Sequence, residues 1–493
     1  MKYAPLLLVS LVLCPVVATA QLIDVKTVPV AAGDQFVLFP SYRLAMGDVS
    51  IALDDPLADP FVNPAKGARL RESLLISSPA YYGISGRAGS GLSLPFAALL
   101  RSNAWFGGGA VAFQEVRAGD GFFGPVFVEP FDSRITSPII GETLSERSNS
   151  NLYAFGYLGS EARDGRLAVG VSAFVADLNA VDGVDLLYAM SENLVQFGYM
   201  ADVRAGLSAD LGKARSFEAT VLHHRLSMTH EVTYVDWIVI DSTQWLVEPR
   251  GRFERNLDRT NTWGTHLGYT QPLGDTWRIG AALTANRKSH PKIPNYEIMN
   301  IPRDPGTTWA YNIGIGVART NGPSTFGLDL VYEPIRSHTW AEADGPVTSA
   351  TGVIPSGGKT VDNRFRFSNV HMRSGIAREV GQVTLQLGVQ ARSIDYRLRQ
   401  ADFVEGTNRR THEHWVEWMP SWGVRVHLSD LELQYVGRVT TGTGRPGVAW
   451  GGDARASMEA AAAADILIAP SGPLTLQDSH VTTHQLMVSM PIR

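Results

Sequence analysis

The chain has 493 residues, a net charge of −5, 18% charged and 44% hydrophobic residues, with 48 glycines, 11 tryptophans and a mean hydropathy of −0.03. This balance excludes a disordered chain, and the lack of any apolar run of about 18 residues excludes a helical membrane protein. Net acidity without a run of basic residues leaves no nucleic-acid partner to expect.

The first twenty residues read as a secretory signal peptide. Lys2 is followed by an apolar stretch from Pro5 to Val17, and Ala18-Thr19-Ala20 offers a small-x-small cleavage site before Gln21. Cys14 is the one cysteine, so cleavage would leave an exported chain with no disulfide. The competing reading, a lipoprotein acylated at Cys14, is opposed by the bulky Leu13 before it. Residues 21–70 lack sustained alternation.

From about Glu72 to Arg493 the dominant signal is alternation in segments near ten residues. Trp309, Tyr311, Ile313, Ile315 and Val317 share one face, and Ala310, Asn312, Gly314, Gly316 and Ala318 the other. Val383, Leu385, Leu387 and Val389 stand likewise against Thr384, Gln386, Gly388 and Gln390, and Phe326, Leu328, Leu330 and Tyr332 against Gly327, Asp329 and Glu333. A tilted strand of about ten residues crosses a hydrocarbon layer with its lipid and lumen faces alternating. Soluble sandwiches alternate too, so connection lengths decide between the two. Turns at Leu100–Asn103, Glu161–Arg166, Gly212–Arg215, Pro272–Asp275, Arg319–Ser324, Glu379–Gly381 and Ser429–Asp430 are short. Between them stand long polar connections near 117–149, 177–194, 230–259, 289–306, 339–363, 400–411 and 442–480. That asymmetry predicts an all-β, transmembrane antiparallel barrel over residues 71–493, with both ends on the short-turn, periplasmic side. Including Glu72–Gly83 and Gly91–Leu100, whose Pro79 and Pro95 suit strand starts or edges, the count is sixteen strands; without them it is fourteen. The alanine run Ala460–Ala464 within Arg455–Pro470 predicts a helical turn or two in an external loop.

The N-terminal stretch carries the most specific motif: Arg43-Leu44-Ala45-Met46-Gly47, then Ala52-Leu53-Asp54-Asp55-Pro56, then Asn63-Pro64-Ala65 just before the first strand. It resembles the opening of FadL-type (long-chain fatty acid transporter) and PorV-like outer-membrane barrels. The resemblance implies that residues 21–70 pack inside the barrel as a plug or hatch, with Leu44, Ala45, Met46, Gly47, Asp54, Asp55, Asn63, Pro64 and Ala65 as its motif. Asp48-Val49-Ser50 and Lys66-Gly67 depart from the family's usual Gly-Gly-Ala and Gly-Leu. Independently, a barrel this wide is an open pore unless something fills it. A periplasmic tail that never enters the lumen is the alternative.

Other candidates read more blandly. Asp54, Asp55 and Asp59 lack calcium-loop spacing and fit a solvated or backbone-capping turn. His412 and His414 share a strand face but have no third ligand at readable spacing, and His223-His224 would face opposite ways. No metal site and no cofactor is expected. No Gly-x-Ser-x-Gly is present and no catalytic residue can be singled out, so an enzyme is not expected. Trp105, Trp237, Trp245, Trp263, Trp309, Trp340, Trp415, Trp418, Trp422 and Trp450 read as interface girdles. The C-terminal Pro491-Ile492-Arg493 lacks the aromatic that such barrels commonly end on. The expected function is an outer-membrane barrel in contact with membrane lipid, passing hydrophobic small molecules passively. The alternative is a PorV-like barrel that binds a secretion-system protein or attaches proteins to the surface. A lateral gap in the wall with an apolar path would favour the first, and a sealed wall with an apolar loop patch the second.

Overall fold

The computed structural model describes residues 22–119, 148–162, 165–182, 184, 193–241, 246–290, 305–343, 345–446, 468–469, 472–473 and 476–492. The expected signal peptide, the alanine run, Trp245 and Trp450 lie outside these residues, as does the side chain of Trp237.

Sixteen strands form one antiparallel sheet closed on itself. The first, β1, is in two pieces, Leu74–Ser77 and Ala80–Ile84. Then come β2 (Gly89–Arg101), β3 (Trp105–Ala118), β4 (Ser148–Ala162), β5 (Leu167–Leu178) and β6 (Asn193–Gly212). They are followed by β7 (Arg215–Asp241), β8 (Leu246–Leu273), β9 (Trp277–His290), β10 (Gly306–Asn321) and β11 (Ser324–Glu342). The last five are β12 (Lys359–Val380), β13 (Val383–Asp402), β14 (Thr407–His427), β15 (Glu432–Pro446) and β16 (Leu476–Pro491). Each strand pairs with its sequence neighbours, and β1 pairs with both β2 and β16, which closes the ring. Pro79 divides β1 because it has no N–H for the ladder, yet Ser77↔Val488 and Ala80↔Gln485 keep one register across it.

The alternation in sequence becomes an inside and an outside. Leu94, Phe96, Val171, Ile313, Ile315, Leu385 and Leu387 are exposed on the outer face, where only hydrocarbon matches them. Gly314, Gly316, Thr384 and Gln386 point inward and are buried. All seven short turns fall where the sequence places them, between β2/β3, β4/β5, β6/β7, β8/β9, β10/β11, β12/β13 and β14/β15.

Two of the long connections are corrected. The 230–259 stretch is mostly strand: β7 runs to Asp241 and β8 resumes at Leu246, paired from Ser216↔Thr270 to Asp241↔Leu246. The 400–411 stretch is a turn at 403–406 between β13 and β14. In both, polar residues continue the ladder past the apolar belt, because backbone pairing does not need an apolar side chain. One tryptophan is also corrected. Trp105, Trp263, Trp309 and Trp418 are exposed on the outer face, but Trp415 turns inward and packs on a buried apolar patch, since odd-numbered β14 residues such as Thr411, Glu417 and Ser421 face the lumen.

Candidate functional site

The lumen is occupied by the residues before β1. Buried Val30, Phe36, Leu38, Phe39, Leu57 and Phe61 join Phe106, Tyr153, Phe155, Tyr157 and Phe174 of the wall in one cluster. Phe39 stacks on Phe61 with ring centroids 3.9 Å apart, and Phe61 lies 4.9 Å from Phe155. Three short helical turns give this segment its shape: Leu44–Met46, α1 (Asp59–Val62) and Pro64–Arg69. The Asn63 side chain caps the last of these by accepting from the Ala65 N–H at 3.1 Å.

The glycines of the wall are seats for this segment. A methyl group on Gly375 would sit 2.1 Å from the Met46 carbonyl oxygen, and one on Gly388 would sit 2.0 Å from the Gly47 nitrogen. Gly280, Gly314 and Gly316 receive Ile51, Gly327 receives Val49, Gly423 receives Ala45, Gly170 receives Pro64 and Ala65, and Gly206 receives Asn63 and Pro64. Gly47 itself has φ +67 and would clash with Ser374 and Val389 backbone if it carried a side chain. Part of the glycine excess in the composition therefore comes from the close approach of the N-terminal segment to the wall inside the ring.

Polar side chains fix the same contacts. Asp55 is fully buried and is a capping residue rather than a solvated one: it accepts from the Leu57 N–H at 3.0 Å, the Tyr42 N–H at 2.8 Å and the Ser41 hydroxyl at 2.7 Å. Arg43 lies 3.7 Å from Asp55 and 3.0 Å from Asp59. Lys66 reaches Asp59 at 3.4 Å and Glu218 of β7 at 2.8 Å, and the Arg204 guanidinium of β6 donates to the Val62 carbonyl at 3.1 Å. Asp329 of β11 accepts from the Ser50 and Ile51 N–H groups at 2.7 and 3.2 Å. Ser421 of β14 accepts from the Gly47 N–H at 3.1 Å and donates to the Ala45 carbonyl at 3.2 Å. Two residues that depart from the motif thus have side-chain partners in the wall, Val49 seated on Gly327 and Lys66 paired with Glu218. Leu44, Ala45, Met46, Gly47, Asp55, Asn63, Pro64 and Ala65 are all buried in this lower, short-turn half, while Asp54 is more open and bridges Arg69 and Arg278.

The loop half of the lumen differs. Ala310, Ile335, Phe365, Phe367, Tyr396 and Leu398 form a second apolar patch, which Ile23 and Val25 cover and Trp415 borders. At its edge the wall splits. β14 and β15 pair from His427↔Glu432 to Trp418↔Thr441, and among the described residues both strands continue beyond that point, to Thr407 and Pro446, without pairing to each other. Gly444 instead exchanges backbone bonds with the N-terminal segment, accepting from the Ala31 N–H at 2.7 Å and donating to the Pro29 carbonyl at 2.7 Å. Gly442, at φ +79, forms the bulge where the strands part, with its α-carbon so close to Val416 that a side chain would meet the carbonyl at 2.1 Å. Lys26 and Glu417, both buried, pair at 2.6 Å beside the split.

His412, His414 and His223 face away from this arrangement. His412 and His414 are exposed on the outer face of β14 with centroids 6.1 Å apart, and His412 pairs with Asp395 at 2.8 Å. His223 lies against Trp263 outside, whereas His224 is buried inside. Among the described residues no group of three metal-type ligands converges.

The wall partners Arg204, Glu218, Arg278, Asp329 and Ser421, and the split itself, escape the sequence reading. The available signal was charge on the lumen face at mid-strand, as at Asp329, since a buried charge requires a partner.

A scan against protein-family models matches no family, and a search of curated proteins returns no relative. Among solved structures the chain is similar to a FadL homologue of Pseudomonas aeruginosa, with TM-score 0.44 and 12% identity over 94% of this chain and 100% of that one. It is also similar to the CymD monoaromatic hydrocarbon channel (TM-score 0.40, 10% identity, 94% and 99% coverage). The toluene transporter TodX of Pseudomonas putida is matched at TM-score 0.38 and 11% identity, over 91% of this chain and 96% of that one.

Proposed function

We propose that this chain is an outer-membrane channel that passes hydrophobic small molecules without an energy source, and that residues 21–70 are its hatch. The observation that carries the reading is the split between β14 and β15, held shut by backbone bonds from Pro29 and Ala31 and bordered by the Phe365, Phe367, Tyr396 and Trp415 patch. An apolar solute entering from the loop end would lie on that patch in place of Ile23 and Val25. Release of the Thr27–Ala31 stretch would then open a way toward the membrane at the split, above the ionic closure of the short-turn half. The motif resemblance supports the same reading. A wall that served only to bind a protein partner would have no use for an unpaired stretch of two neighbouring strands, whose ladder bonds must be satisfied elsewhere.

The test joins Val30 to Gly444, the two bridged residues, by a disulfide (Val30→Cys with Gly444→Cys), using the lack of any cysteine beyond Cys14. In liposomes the oxidised protein should take up a hydrophobic tracer at a small fraction of the wild-type rate, and reduction should restore it. Equal uptake in the oxidised and reduced states would rule out passage by displacement of this stretch.

A further inference from the structure

We infer that a cavity at the short-turn end is a binding site for a small oxyanion, a carboxylate or a phosphate, and that Asp54 is its built-in competitor. The cavity measures about 440 Å³ and is lined by Asp54, Arg69, Arg166, Arg215, Arg278 and Asp210, among others. This volume suits a small ligand. Four arginines line it against Asp54, Glu161 and Asp210, and Glu161 is already engaged by Arg101 at 2.7 Å. The lining therefore carries positive charge in excess.

The pose of Asp54 shows what the site accepts. One of its carboxylate oxygens meets the Arg69 guanidinium and the other meets Arg278 at 2.5 Å, so two arginines from different parts of the chain converge on one carboxylate. An oxyanion from solution would find the same two donors, with charge-assisted bonds of the same kind. Thr270 orients Arg278 by accepting from it at 2.8 Å, and Arg215 is held to its own turn through the Gly212 carbonyl at 3.2 Å. Arg278 belongs to β9 and Arg69 to the N-terminal segment. The anion that replaces Asp54 would therefore exchange the direct Asp54–Arg278 link between that segment and the wall for one that runs from Arg69 through the anion to Arg278. The site does not depend on what crosses the barrel, so its failure and that of the channel reading are separable.

The experiment is titration calorimetry on the intact protein in micelles, with acetate, inorganic phosphate and, as neutral control, acetamide, none of which has an apolar chain for the channel or the micelle to take up. At least one anion should bind and acetamide should not; which anion binds identifies the chemistry. Asp54→Asn should tighten binding about tenfold or more by freeing the arginines, since apparent affinity scales with the fraction of competent sites. Arg278→Gln should weaken it by a similar factor, and Arg166→Gln, which leaves the Asp54 bonds in place, should weaken it as well. Binding unchanged by Asp54→Asn, binding of acetamide as tight as acetate, or no binding of either anion to wild type and Asp54→Asn would overturn the assignment.

Discussion

At the scale of single residues, the lumen-facing glycines and the buried acids do the same job from opposite directions. Gly388 lets the backbone of Met46-Gly47 approach to within van der Waals contact, and Asp329 and Ser421 then bind the amides brought near. A methyl group at residue 388 meets backbone on both Met46 and Gly47, which cannot rotate away as a side-chain tip could. Gly388→Ala should therefore displace the Leu44–Gly47 turn at a cost of about 1–3 kcal/mol, typical of overpacking. The barrel should keep its heat-modifiable gel mobility, while protease sensitivity of the N-terminal segment rises. Asp54 supplies a pH dependence of known sign. Burial pushes its carboxyl up, but Arg69, Lys66 and Arg278 more than offset that and hold it below the usual carboxylate range. A carboxyl depressed on folding stabilises at pH values above its unfolded value, 3.8, and loses that contribution as pH falls toward the lower folded value. The contribution of Asp54 to the order that a spin label on the segment reports should thus be the same at pH 7 and pH 5 and be lost only below about pH 4. Asp54→Asn should abolish the part of the acid transition that this group supplies.

At the scale of elements, the strands were legible because each is a two-faced object. Ile313 and Ile315 against Gly314 and Gly316 state both the period and the faces, and the seven short turns state the hairpins. The ends of strands were not legible. β7 and β8 run on through residues that alternate in no apolar sense, so hydropathy ends where the belt ends while hydrogen bonding does not. The same limit explains Trp415: its residue type suits an interface girdle, and only the register of β14 shows that odd-numbered residues there face inward. The motif was legible as a pattern, but its partners were scattered over strands whose order around the ring the pattern does not encode. Asp55 illustrates this division. Its capping of Leu57 and Ala58 is local and follows from the Asp-Pro turn, whereas Arg204 beneath Val62 lies 142 residues away.

At the scale of the whole molecule, a ring of sixteen strands is too wide to be filled by its own side chains, so its interior must be either water or chain. The first described residues supply the chain, running from Ile23 in the loop half, past the split at Gly444, to Asn63-Pro64 against β5 and β6 at the short-turn end. The loop half is lined by aromatics and closed by a few backbone bonds and the buried Lys26–Glu417 pair, and the short-turn half is closed by a network of buried ion pairs and by glycine seats. On the proposed function the upper contacts would exchange for an apolar solute at the cost of parting Lys26 from Glu417, while breaking the lower ones would leave a larger set of charges, Asp59 and Glu218 among them, buried without partners. The most direct measurement is small-solute permeability of vesicles containing the barrel with residues 21–70 deleted. If this segment is what closes the ring, the deletion should keep heat-modifiable mobility and raise leakage of small polar solutes many-fold above the intact chain. Leakage equal to that of the intact chain, with the barrel still folded, would contradict it.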